Sequence, residues 1–218
     1  MSRGFNGSST GLYLSSFTTN ASPVTMALWA KLTTTGGSGG LVAMQISGNQ
    51  LVCHYLAYSR GLNVWYCTSR NGGSENNAIS TTAATTNWTH VAAVYASSTS
   101  RKIFVNGVEE GSNTTSVAPT LNRMSLGFRT DGAVPSLSGG AYFDGLLAHA
   151  AIWAAALSAA QIASLASGAS PLLVAPETLS FYAPLGGVVS AEPNLRGPAL
   201  SVYGSPTAGS SDPRIYMP

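Results

Sequence analysis

Eight carboxylates and three imidazoles make up the acid–base repertoire of this 218-residue chain. The acids are Glu75, Glu109, Glu110, Asp131, Asp144, Glu177, Glu192 and Asp212, and the histidines are His54, His90 and His149. Glycoside hydrolysis needs two carboxylates about 5–9.5 Å apart across the scissile bond. On a strand, two side chains share a face only at alternate positions. No two acids stand at i and i+2; Glu109 and Glu110 are adjacent and project to opposite faces beside a turn. No histidine accompanies a G-x-S-x-G nucleophile elbow. Cys53-His54 followed by Cys67 does not have the clustered spacing of a zinc site. These patterns lead us to expect a protein that is not an enzyme.

Binding chemistry is the alternative. Glycan recognition asks for aromatic faces beside polar loops, and the first half of the chain holds Tyr13, Tyr55, Tyr58, Trp65 and Tyr66. A hairpin of 52–58 and 62–68 centred on Arg60 would oppose residues whose numbers sum to 120. It would set Tyr55 against Trp65 on one face, which makes that pair the candidate ligand site. The same register faces Cys53 with Cys67, either as two neighbouring buried thiols or as a cross-strand bridge.

The elements that must carry these residues are strands. Short apolar runs recur between Gly, Ser, Asn and Thr clusters, the pattern of an all-β sandwich. In residues 89–95 both alternating sets are mostly apolar, so the strand is covered on both sides. Asn106-Gly107 marks a type I′ hairpin. Ser158 and Gln161 form a capping box for one short helix near 158–167, with Gly168 and Pro171 ending it, placed as a plug at one end of the sandwich. Eight of the eleven prolines follow residue 170. Residues 1–170 therefore read as the sandwich, and 171–218 as a Pro-rich segment, part strand and part extended tail.

Apolar residues make up 44% of the chain and charged residues only 8%, against roughly 25% in ordinary globular proteins. The net charge is +2, and the ten basic residues are scattered. Nucleic acid is not an expected partner, because phosphate binding needs a dense basic face. No run has the length of a membrane span, and no leader pattern follows Met1. The expected surface is neutral and hydroxyl-rich, suited to permanent assembly.

An ordered series of motifs resembles the laminin G-like, concanavalin A-like jelly-roll superfamily. Asn87-Trp88-Thr89-His90-Val91-Ala92 is similar to its "W-x-H-V-A" strand, and Phe104-Val105-Asn106-Gly107 to its hairpin. Tyr142-Phe143-Asp144-Gly145-Leu146-Leu147-Ala148 resembles its "F-x-G-x-I-D-E" strand, and Ile152-Trp153 with 156–162 its "A-L-S-x-x-E-I" segment. Phe5-Asn6-Gly7 and 27–32 are similar to its opening strands. The resemblance implies two antiparallel sheets face to face, with Trp88 and His90 in structural positions. It also implies glycan or protein binding, and hydrolysis in some members. Where the family has an acidic pair, this chain has Ala148-His149. Relatives often carry one hard-cation site, which would make Asp131 and Asp144 the candidate ligands of a structural calcium, although both Asp-Gly pairs are also turn chemistry. The Ser/Thr-rich style and the ending Pro213-Arg214-Ile215-Tyr216 resemble such domains in tailed-bacteriophage virion proteins. The expectation is a virion module for capsid decoration, fibre or tail. It would be made in the host cytoplasm and partnered by virion proteins or by itself in a symmetric oligomer, with cell-surface glycan a possible ligand. A free-standing carbohydrate-binding adhesin and a polysaccharide hydrolase are the alternatives.

Overall fold

Two antiparallel sheets face each other in the computed structural model, which describes residues 2–36, 38–129, 142–187, 191–213 and 215. In chain order the first strands are β1 (Arg3–Asn6), β2 (Gly11–Leu14), β3 (Val24–Leu32), β4 (Gly39–Ile46) and β5 (Asn49–Ser59). Next come β6 (Val64–Asn71), β7 (Asn76–Ala83), β8 (Thr89–Ser97), β9 (Ser100–Val105) and β10 (Val108–Asn113). The last are β11 (Arg123–Leu126), β12 (Asp144–Trp153), β13 (Leu179–Ala183), β14 (Ser201–Tyr203) and β15 (Thr207–Ala208). One helix, α1 (Ala159–Ala166), follows β12. The eight-stranded sheet runs β10-β9-β8-β3-β12-β1-β15, with β13 also pairing β12; the seven-stranded sheet runs β14-β2-β11-β4-β5-β6-β7. The expected jelly-roll sandwich is the observed architecture.

Alternation builds the core. Val91, Ala93 and Tyr95 of β8 point between the sheets, where they join Met26, Leu56, Trp65, Ile103 and Phe181. Ala92 and Val94, on the opposite face of the same strand, are equally buried, in a second cluster with Phe104, Trp153, Ile162 and Leu165. That cluster corrects the expected position of α1. The helix does not plug an end of the sandwich but packs on the outer face of the eight-stranded sheet. The small side chains Ala27, Ala92 and Ala151 let it approach, and Trp153 is fixed there by Nε1 donating to Val174 O at 2.7 Å.

The capping box is present as expected. Ser158 Oγ accepts from Gln161 N, and Gln161 Oε1 accepts from Ser158 N at 2.9 Å. Gly168, at φ +98°, supplies the left-handed exit. Because α1 is short and holds only Ile162 and Leu165 in the apolar cluster, Ser158→Ala is expected to cost about 1 kcal/mol. Urea unfolding measures this loss, and Gln161→Ala in the same background should add little once the box is broken.

Asn106 and Gly107 adopt φ +48° and +87°, as a type I′ turn requires. Asn106 Oδ1 accepts from His90 N at 3.0 Å, and His90 O accepts from Asn106 N at 2.8 Å, so the turn is tied to the neighbouring strand. A Cβ on Gly107 would come within 3.0 Å of Ala163 in α1. Glu109 pairs with Lys102 at 2.8 Å. Glu110 turns the other way and accepts from the main-chain N–H groups of Thr81 and Thr82 at 3.0 and 2.8 Å. It thereby binds edge strand β7 of one sheet to edge strand β10 of the other.

The β5–β6 hairpin departs from the expected register. Tyr58 opposes Trp65 and Tyr55 opposes Thr68, so opposed numbers sum to 123. The cause is a four-residue loop, 60–63, closed by Asn63 in the left-handed region at φ +53° with Leu62 in solvent. An odd shift exchanges faces. Cys53 and Cys67 are accordingly thiols on opposite faces of the sheet, neither neighbours nor positioned to bridge.

The chain after Pro171 returns to both sheets. β13 pairs β12, β14 pairs β2 and β15 pairs β1. Arg3 of β1 and Glu192 form an ion pair with side chains 1% and 0% exposed. Ser2 Oγ donates to Ser211 O at 2.5 Å, and Trp88 Nε1 donates to Ser211 Oγ at 3.3 Å.

Candidate functional site

The outer face of the seven-stranded sheet carries the residues best suited to hold a ligand. Along β5, Cys53, Tyr55 and Ala57 point outward, while His54, Leu56 and Tyr58 point inward. On β6 the outward residues are Tyr66, Thr68 and Arg70, by the same alternation. Tyr55 and Tyr66 meet edge to face, with ring centroids 5.7 Å apart. The guanidinium carbon of Arg129 lies over the Tyr55 ring, 4.9 Å from its centroid.

Two glycines bring Arg129 there. A Cβ on Gly39 would come within 2.4 Å of Phe143 Cα, and one on Gly40 within 3.0 Å of the Phe128 and Arg129 main chain. Their bare backbone lets the segment after β11 press against β4. Gly127, at φ +77°, turns that segment, and Ser125 Oγ holds it by donating to Phe128 O at 2.8 Å. Glu75 arrives from the β6–β7 turn, where Arg70 Nε donates to Gly73 O at 2.7 Å. Its Oε1 is 3.1 Å from Arg129 Nη1 and 3.6 Å from Arg70 Nη1. A small cavity of about 60 Å³ opens between Tyr55, Tyr66, Glu75, Arg129 and Ser38.

Burial raises the phenol pKa of both Tyr55 and Tyr66 above the ordinary tyrosine value, so both stay neutral. Burial likewise pushes the Cys53 thiol up to about 12, which makes it unreactive as a nucleophile. Among the described residues, Glu75 is the one carboxylate lining this cavity. Glu109, Glu110 and Glu192 are engaged elsewhere, by Lys102, the β7 edge and Arg3.

Tyr55 is in the site, but Trp65 is not. Trp65 is 1% exposed in the inter-sheet core, where its ring is 5.5 Å from Tyr58. The expected Tyr55/Trp65 pair is thus split across the sheet by the register shift, and Tyr66 stands where Trp65 was expected. Asp144 begins β12 opposite Asn6, and Asp131 lies outside the described residues. Among the described residues, no three His, Cys, Asp or Glu side chains cluster as metal ligands would. Among the described residues, no helix is long and apolar enough to cross a membrane. His90 is buried with its ring edge-on to Trp29 at 5.4 Å, and His149 Nδ1 is 2.8 Å from the Tyr182 hydroxyl. Neither faces the cleft.

Residues 6–163 match the laminin G-type sequence profile of the concanavalin A-like lectin/glucanases superfamily. The chain belongs to this superfamily. No curated protein sequence matches it. A protein from Bacteroides ovatus, described as carbohydrate-binding, superposes with a TM-score of 0.72 at 17% identity, over 99% of this chain and 62% of the other. A native heptameric pentraxin from Limulus polyphemus gives 0.64 at 14% identity, over 76% and 81%. The CBM40 of the Ruminococcus gnavus IT-sialidase, bound to α2,3-sialyllactose, gives 0.57 at 16% identity, over 76% and 98%. At these identities the likeness to the concanavalin A-like structures is one of fold.

Sequence reasoning missed Tyr66, Arg70, Glu75 and Arg129 as a group. Arg70 and Glu75 flank Asn71-Gly72-Gly73, a legible turn that brings their side chains close. Arg129 comes from 54 residues beyond Glu75, and nothing local in the sequence joins the two.

Proposed function

We propose that this chain is a non-catalytic, glycan-binding module of the concanavalin A-like superfamily, with its ligand on the outer face of the seven-stranded sheet. One observation carries the reading. The cleft sets the ring of Tyr66, propped edge to face on the buried Tyr55, beside a guanidinium–carboxylate pair, Arg129 and Glu75, with Glu75 the single carboxylate among the described residues that line it. Aromatic faces stack on sugar C–H groups, while planar charged groups bond hydroxyls in pairs. Among the described residues of the cleft, one acid held between two arginines does not supply the second carboxylate that hydrolysis needs. The cavity is too small to enclose a sugar ring, so the ligand rests across its rim. The carbohydrate-binding descriptions of structural neighbours support the same class.

A glycan array followed by calorimetry tests the proposal. Tyr66→Ala is expected to weaken binding of the best array ligand about ten-fold, from lost stacking. Cleavage of a bound polysaccharide that disappears in Glu75→Gln would show an enzyme instead.

We further propose that the module works within a larger symmetric assembly, of the kind that decorates or extends a tailed-phage particle. The low charge content, 8% of the chain, supports a surface built for permanent contact. Cryo-electron microscopy of native particles tests it. A monomer in solution that never joins a particle points to the free-standing adhesin.

A further inference from the structure

We infer that the ligand of the Tyr55–Arg129 cleft is anionic, a carboxylate-bearing sugar, an inference that rests on the glycan-binding reading and narrows it. Among the described residues the cluster holds two guanidinium groups, Arg70 and Arg129, against one carboxylate, Glu75, and these three carry one surplus positive charge. The side chains of Arg129 and Arg70 are only 18% and 21% exposed, and that of Glu75 is 33% exposed. A charge imbalance in a partly desolvated site acts more strongly than the same imbalance in water.

The geometry says where the anion sits. Both arginines approach Glu75 through the same oxygen, Oε1, each with Nη1. Arg70 also spends Nε on Gly73 O. Among the described residues, Arg129 makes its one hydrogen bond through Nη1. No other described residue takes its remaining guanidinium N–H groups, and a guanidinium presents such groups as a fork that fits a carboxylate. The same guanidinium lies over Tyr55, which holds its plane in place. Tyr66, beside it, offers the ring on which the sugar body stacks.

The test is calorimetry of the intact chain with three probes: a carboxylated oligosaccharide such as sialyllactose, its neutral parent lactose, and a sulfated lactose. The inference expects the carboxylated probe to bind at least ten-fold more tightly than the neutral one. Its affinity should fall as salt rises. Arg129→Gln should remove about ten-fold of that affinity, with Arg129→Lys only partly restoring it, because lysine lacks the planar fork. Arg70→Gln, a change at the rim, gives a second reading if the Arg129 variants fail to fold, and should cost several-fold. Equal binding of neutral and carboxylated probes overturns the inference and leaves glycan binding standing. Preference for the sulfated probe over the carboxylated one also overturns it. Failure of all three probes, together with a blank glycan array, overturns the glycan reading itself.

Discussion

Arg3→Met or Glu192→Leu alone is expected to destabilise the fold by about 3–5 kcal/mol, whereas the double replacement recovers most of that loss. Both side chains are excluded from water. Arg3 Nη1 also donates to Gly187 O at 2.7 Å, and Glu192 Oε1 accepts from Gly187 N at 2.9 Å. Removing one partner leaves the other charge buried without its counter-charge, which costs far more than the pair contributes when intact. Removing both exchanges a desolvated ion pair for apolar packing. A double-mutant cycle by urea unfolding measures the coupling directly; losses that simply add would refute the assignment. The pair matters because of its position. Arg3 lies on β1, between β12 and β15, and Glu192 belongs to the Pro-rich segment expected to be part strand and part extended tail. Strand β12 begins directly after Phe143, the residue against which Gly39 of the cleft wall packs. Loosening the lock between the two ends of the chain therefore reaches the ligand face.

What the sequence disclosed, and what it hid, follows from the range of the interactions involved. Asn106-Gly107 and Ser158-x-x-Gln161 act within a few residues, so their turn and cap are legible in the amino-acid order alone. Apolar runs on both faces of β8 announced a covered strand. Strand β7, Asn76–Ala83, was missed because it inverts the usual alternation, with Ile79 outward and exposed and Ser80 buried, and its place comes from partners, namely β6 and the Glu110 carboxylate. The β5–β6 register failed on a single residue: Asn63 takes a left-handed conformation and lengthens the loop. That change moved Trp65 into the core and gave the site to Tyr66. Arg129, Glu75 and Tyr55 come from three separate stretches of chain, and only the fold brings them together.

The free energy of unfolding is expected to fall as the pH drops from 6.5 towards 4, before the bulk of the carboxylates titrate. Burial holds His54 at about 4, His90 at about 3 and His149 at about 4, all below the ordinary 6.5. A base whose folded pKa is lowered favours the fold in its neutral form. That contribution is complete above pH 6.5, where the unfolded chain is also neutral, and is lost as the pH falls towards the folded values. The packing shows why the charge is refused. His54 Nε2 bonds Ala21 O at 2.8 Å, but its Nδ1, like that of His90, is buried with no acceptor for a second proton. Each of these two rings should contribute a slope on the order of 1 kcal/mol per pH unit within the window. Urea titrations from pH 7 to pH 5 measure the sum. His90→Gln should flatten the slope, and stability unchanged across that range would refute the account. His54 extends the effect to the ligand face. Its ring stacks on Tyr95 at 4.0 Å, and the Tyr95 hydroxyl donates to Tyr55 O and Thr68 O, both at 3.1 Å. A proton on His54 strains the contact that holds those two strands from beneath, so ligand binding at the proposed site should decline in the same window.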